Sequence, residues 1–343
     1  MPEQLVITSH RPLAGQELLR YFVERNYRVR ACSPSSAWPA AEGGQLNREL
    51  INRHPASLTC CMIDQPRIET LVQVLHTLEP AAIIHAPLWG LPVSAFPLAA
   101  YESVVTGTLH WLEAARQVYP RVPFIYLSST QVYGDRSDTI IRDETETRFD
   151  FKDPAYLKGL TEAFPIEGST HSLWGAAAVA ADVLVQEYAR SHHLPTCCLR
   201  IDSLCDPGNG TEDRRDLLSL IAHACLTGTE YLISKQVREI VSARDVAVLI
   251  EAFIRNPRPG EIYNVGGGKS ETCSVLEAGQ WIEELTGKSL PRKHSALPPL
   301  GEPCCHYSDG RHLHEHFPQW KVTESWKKLA QRVVETQRNR LAI

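Results

Sequence analysis

Short apolar runs alternate with amphipathic stretches through the first two hundred positions. Leu5-Val6-Ile7-Thr8 is a strand-length run close to the start. After a turn, 15–26 sets Leu18, Leu19, Phe22 and Val23 on one helical face, and 27–32 reads as a second strand. The same spacing predicts a strand at 58–63, a helix at 67–78 and a strand at 82–86. A long helix follows at 97–118, with Leu109, Leu112 and Ala115 on its apolar face, and then a strand at 123–127. An alanine-rich helix at 173–191 and a strand at 195–201 close the series. Strands alternating with helices over this length predict an α/β fold with a doubly wound parallel sheet.

The order loosens afterwards. Helical stretches at 213–226, 243–255, 274–286 and 323–337 are separated by Gly/Pro turns and one short strand at 261–265. The expected division is a Rossmann-like domain over 1–200, with a return segment near 235–265. The remainder of 201–343 is expected to form a smaller C-terminal domain of the substrate-binding type. The polar, weakly periodic connection at 134–168 is long enough to read as a loop that covers a site.

Composition adds limits rather than a function. Lys and Arg number 35 and Asp and Glu 40, a net charge of −5 spread through the chain, so no nucleic-acid surface is expected. The apolar runs are too short to span a bilayer, no signal peptide precedes the first strand, and a cytoplasmic protein is expected. Of the ten cysteines, six form adjacent pairs: Cys60-Cys61, Cys197-Cys198 and Cys304-Cys305. Neighbours on a strand point to opposite faces and bridge poorly with each other, so most cysteines read as small buried apolar residues.

Two places invite chemistry. Ser128 and Ser129 end the strand at 123–127, where open α/β sheets bind ligands. The turn Thr8-Ser9-His10-Arg11-Pro12-Leu13-Ala14-Gly15 has the position of a phosphate-cradling loop but keeps only its last glycine. Side chains there keep a pyrophosphate from the backbone, and Pro12 removes an N–H. Thr8, Arg11 and Gly15 are the candidate contacts to a dinucleotide. The helix N-terminus allows NAD, but these residues do not favour it. Cys32-Ser33 stands where an acidic residue would hold the adenosine ribose.

The chain resembles the extended short-chain dehydrogenase/reductases, and among them the CDP-paratose (tyvelose) 2-epimerases. The likeness is carried by Ser129-Thr130-Gln131-Val132-Tyr133-Gly134, 143–149, Gly210-Thr211-Glu212-Asp213, 235–239 and Ile262-Tyr263-Asn264-Val265-Gly266-Gly267-Gly268. The resemblance implies a Ser or Thr, a Tyr and a Lys acting with NAD, the last two spaced four apart on one helical face. Ser129 matches the hydroxyl, but Trp174 stands at the Tyr and Ala178 at the Lys. Ser9 and Pro12 replace loop glycines, Met62 an adenine-binding Asp, and Val104 a helix Asn. His85 keeps the first residue of a strand-end motif and joins the candidate cofactor contacts. Arg238 and Asn264 match substrate-side positions for a nucleotide-linked ligand, whereas 300–305 lacks the family's phosphate-clamping arginines.

Tyr133 is the nearest substitute acid/base, and Ser129 with Tyr133 forms the candidate catalytic pair. Cys304, Cys305, His306, His312, His314 and His316 carry zinc-ligating groups but read as a solvated surface helix with its approach, so no metal is expected. Three readings stand. The first is a catalytically degenerate, epimerase-like protein that binds a ligand or partner without hydride transfer. The second is an enzyme with non-redox chemistry in the same pocket, and the third an NAD-dependent epimerase with a relocated base. The resemblance also implies a homodimer through the helices at 97–118 and 173–191.

Overall fold

The computed structural model describes residues 3–9, 16–33, 50–63, 67–87, 98, 101–140, 142–207, 216–296, 298 and 301–341. These form two compact units. One comprises 1–129, 176–200 and 247–263, and the other 130–175, 201–246 and 264–343.

The first unit carries a seven-stranded parallel sheet in the order β12-β8-β5-β4-β1-β2-β3. Its strands are β1 (Gln4–Ser9), β2 (Arg28–Ser33), β3 (Leu58–Met62), β4 (Ala82–Ala86), β5 (Phe124–Ser129), β8 (Thr196–Ile201) and β12 (Glu261–Val265). Every residue of β4, β5 and β8 is buried, which explains why these segments lack the apolar–polar alternation of a half-exposed strand. The doubly wound sheet predicted above is therefore present. Helices α1 (Gln16–Glu24), α2 (Ile68–Leu78), α3 (Gly107–Val118) and α4 (Leu173–His192) follow their strands in sequence. The predicted helix at 97–118 proves composite where it is described. A π-helical turn at Glu102–Thr106 precedes α3, with the Gly107 N–H reaching back to the Glu102 carbonyl.

A buried polar network lies inside this unit. Arg200, 2 % exposed, is paired with the fully buried Asp182 through contacts of 2.9 and 3.2 Å, and Ser128 donates to the same carboxylate at 2.7 Å. All the polar atoms of the pair lie within reach of partners, the condition under which a buried ion pair can be kept.

The second unit holds short strands. The polar stretch at 134–168, expected to be a loop that covers a site, contains the antiparallel pair β6 (Arg142–Glu144) and β7 (Phe149–Phe151). Strand β11 (Val237–Ser242) lies between β9 (Ser203–Cys205), parallel, and β13 (Thr272–Ser274), antiparallel. Strands β10 (Tyr231–Ile233) and β14 (Arg292–His294) form a further parallel pair. Around them α5 (Leu217–Thr227), α7 (Val275–Thr286) and α9 (Trp326–Leu341) share one apolar core, with Ile221, Ile282, Leu329 and Val333 at its centre. Two further helices complete the chain order: α6 (Ala243–Arg255) and the short α8 (Arg311–His316).

Helix α9 starts at Trp326 rather than at the predicted 323. The Thr323 N–H and hydroxyl both donate to the Asp245 carboxylate, which holds that residue outside the helix.

Candidate functional site: a neutral cleft and a buried acidic cluster

In the first unit the strand order reverses at β1, whose neighbours are β2 and β4, and such a reversal leaves a crevice beyond the strand ends. A small cleft of about 40 Å³ lies there, lined by Thr8, Ser9, Cys32, Ser33, His85 and Trp111 among others.

His85 is fixed rather than catalytic in its geometry. Its Nδ1 meets the Thr8 hydroxyl, and its Nε2 lies 3.0 Å from the Thr108 hydroxyl. Thr108 spends its one proton on the Val104 carbonyl, so it accepts from His85 Nε2–H. Nδ1 is then the acceptor, and the Thr8 proton points at the ring. Burial holds His85 down at about 3, so the ring stays neutral near pH 7. Thr8 can offer a ligand only its lone pairs.

At the end of β2 a carboxylate is the group that grips an adenosine ribose in this architecture. Here Cys32 and Ser33 stand instead, and the Ser33 hydroxyl lies 3.4 Å from that of Ser9. Among the described residues the lining of this cleft has no acidic side chain. Arg11 and Gly15 lie outside the described residues. Ser129 ends β5 and is buried. On α4, Trp174 is half-buried and Ala178 is fully buried.

The second unit gathers Tyr133 and Asn264. Tyr133 closes a 3-10 turn at Thr130–Tyr133, has no exposed surface, and donates its hydroxyl to Asn264 Oδ1 at 2.7 Å. The Asn264 amide donates to the Leu160 carbonyl at 3.0 Å, and its backbone N–H donates to Glu162 at 2.7 Å. Both residues are engaged in holding the turn together.

Arg238 is taken up by acids. Its guanidinium lies 2.8 Å from Asp202 and 3.6 Å from Glu302. Asp202 also accepts the Thr130 hydroxyl at 3.1 Å and the Glu239 backbone N–H at 2.7 Å. Burial alone would raise the Asp202 pKa, but Arg238, followed by His306 and the Glu239 N–H, holds it below the usual carboxylate range. Arg238 is itself raised, because Asp202 and Glu302 outweigh its burial.

Beside this pair lie Glu239 and His306, which the sequence does not place together. Glu239 is buried and accepts from the Ser308 hydroxyl at 2.6 Å, the Ser308 N–H at 3.0 Å and the Gly268 N–H at 2.6 Å. Burial nevertheless pushes it up to about 7. A Cβ on Gly266 would run into this carboxylate, which accounts for glycine at the start of that turn. His306, fully buried and held down at about 4 by burial, lies 3.9 Å from Glu239 and stacks on Tyr133 with the rings 5.9 Å apart. Neither His306 nitrogen has a hydrogen-bond partner among the described residues. The expected solvated cluster at 304–316 is thus divided: Cys304, Cys305 and His306 are buried, while His312 and His316 pack ring to ring at 4.8 Å on α8. The signal for Asp202 was non-local. β9 pairs with β11 through Ser203 and Ile240, which sets the preceding residues Asp202 and Glu239 side by side.

The model of the NAD dependent epimerase/dehydratase family matches residues 5–266. CDP-paratose 2-epimerase from Salmonella typhi is 30 % identical over 201 residues, covering 55 % of this chain and 57 % of that protein. dTDP-glucose 4,6-dehydratase 1 from Escherichia coli (strain K12) is 26 % identical over 205 residues, covering 56 % and 53 %. The chain therefore spans little more than half the length of these curated relatives. The structure of dTDP-glucose 4,6-dehydratase from Bacillus anthracis in complex with NAD superposes with a TM-score of 0.75 at 18 % identity, covering 98 % of this chain and 97 % of that one. At that identity the likeness is one of fold.

Proposed function

This chain belongs to the NAD-dependent epimerase/dehydratase family, and from that premise we propose that it binds a ligand or partner without transferring hydride. The observation that carries this reading is Ala178: the position matching the family's lysine is a methyl with no exposed surface, one helical turn after Trp174. An indole offers only an N–H donor and cannot take a carbinol proton. Ser129 keeps the hydroxyl position, and a serine hydroxyl is itself a poor base. Removing general acid/base help alone costs about 10²–10⁴ in rate.

The neutral cleft supports weak or absent NAD binding. The capture of Arg238 by Asp202 and Glu302 supports weak holding of a diphosphate. A homodimer through α3 and α4 belongs to the same reading, with Leu109 at 37 % and Val183 at 46 % exposure on those helices.

The test follows epimer exchange by NMR in CDP-tyvelose or CDP-paratose incubated with the protein and NAD. No exchange above the protein-free control is expected. Turnover that is lost in Ser129→Ala would overturn the reading and establish a relocated base. Calorimetry with NAD is expected to give a dissociation constant weaker than about 10 μM, roughly −7 kcal/mol.

A further inference from the structure

The ends of β2 and β3 carry a patch that the family chemistry does not use. Cys32 is the register partner of Cys61, and Arg30 that of Thr59. Partners on adjacent strands share a face, as do residues two apart on one strand. The four side chains therefore form one surface, with a guanidinium and a hydroxyl followed by two thiols, while Cys60 points to the opposite face. Arg30 donates to Thr59 Oγ1, and its Nε has no partner among the described residues. Cys32 is buried and lines the cleft, Cys61 is half-buried, and both are free thiols.

Cys32 beside it holds Cys61 down at about 6 against its burial, with Arg30 assisting, while Cys61 and burial push Cys32 up; the Cys32 Sγ lies 3.8 Å from the Arg30 carbonyl. Arg30 and Cys32 are the titratable or charged groups that β2 turns toward Cys61; on its own strand the adjacent Cys60 is pushed up to about 11, first by burial. Adjacent strands lie about 4.8 Å apart, inside the roughly 4.4–6.8 Å that a disulfide spans between Cα atoms.

We propose that Cys32 and Cys61 form a reversibly oxidisable dithiol at the mouth of the cleft, reacting with low-molecular-weight disulfides, with Cys61 as the attacking thiolate and Cys32 as the resolving thiol. Cys61 attacks one sulfur of the small disulfide, whose S–S bond breaks, leaving a mixed disulfide on Cys61 and releasing one small thiolate, which takes up a proton. Cys32 then gives its proton to solvent and attacks the Cys61 sulfur, expelling the second small thiolate. The two protein thiols lose two electrons, and the small disulfide gains them as two thiols. The new bond would tie edge strand β3 to β2 and remove the Cys32 thiol from the cleft wall. This inference is independent of whether hydride transfer occurs.

The test uses full-length reduced protein incubated with oxidised glutathione, quenched in acid and mapped by mass spectrometry without reduction. A Cys32–Cys61 linked peptide pair is expected in the wild type and in Cys60→Ser. Cys32→Ser should instead hold glutathione stably on Cys61, and Cys61→Ser should leave Cys32 unmodified. In unmodified protein, iodoacetamide at pH 7 should reach Cys61 at least about tenfold faster than Cys60, since the thiolate is the reacting form. Glutathione that persists on wild-type Cys61, adducts found first on Cys60, or neither a Cys32–Cys61 link nor any adduct on the folded wild type would each overturn the proposal.

Discussion

Asp202 shows how one side chain can decide what its neighbour is free to do. It holds Arg238 at 2.8 Å, so that guanidinium already has a full anionic partner. Asp202→Asn should destabilise the protein by about 3 kcal/mol, the lower end of the cost of breaking a buried pair. It should also bind CDP about tenfold more tightly, or about 1.4 kcal/mol, as an arginine is returned to the solvent side. Urea unfolding and calorimetry check the two arms, and unchanged CDP affinity would show that Arg238 never faced a ligand.

Glu239 and His306 give a second residue-scale prediction. Glu239 sits at about 7 in the fold against an ordinary 4.5, so between those values the unfolded chain loses the proton first and stability falls as pH rises. His306 sits at about 4 against 6.5, so the unfolded chain gains the proton first as pH falls, and stability rises with pH over that window. The slopes oppose each other between 4.5 and 6.5. Glu239→Gln removes one of them, and stability should then climb with pH by about 1 kcal/mol per unit more steeply than in the wild type. Thermal melts at half-unit steps read the difference, and parallel curves would refute the assignment.

At the scale of elements, α4 and α7 make contrasting tests. Ala178→Lys places an ammonium where α4 has no exposed surface, so a loss of at least about 3 kcal/mol is expected. The double change with Trp174→Tyr should yield folded protein poorly and no epimer exchange. Helix α7 begins with a reciprocal cap, in which Ser274 accepts the Glu277 N–H at 3.0 Å and returns its own N–H to the Glu277 carboxylate at 2.9 Å. Ser274→Ala should cost about 1 kcal/mol in urea unfolding. The long buried strands of the first unit were legible because runs of three or four apolar residues, such as 124–127, recur between helical stretches. Strands β6, β7, β9, β10, β13 and β14 have three residues each, too few for alternation to register. The polar cluster was hidden for another reason: Asp202, Glu239 and His306 are brought together by pairing between distant segments, which no local spacing encodes.

For the whole molecule, the exposed Leu109 and Val183 on α3 and α4 lead us to expect twice the chain mass by light scattering at micromolar concentration, and a single-chain mass for Val183→Glu. A wild-type monomer at that concentration would remove the helical interface from the account. Among the described residues no helix is long and apolar enough to cross a membrane. The buried pair Arg200–Asp182 bears on how such a chain can change over time. Replacing either partner alone strands a charge in the interior at about 3–5 kcal/mol, a large share of a typical domain's stability, whereas replacing both with fitting apolar groups is near neutral. Single-step mutational paths through 182 or 200 are therefore blocked, while one through a half-buried position such as 174 stays open. A lineage drifting under such rules can exchange its chemistry one codon at a time and still inherit the same shape.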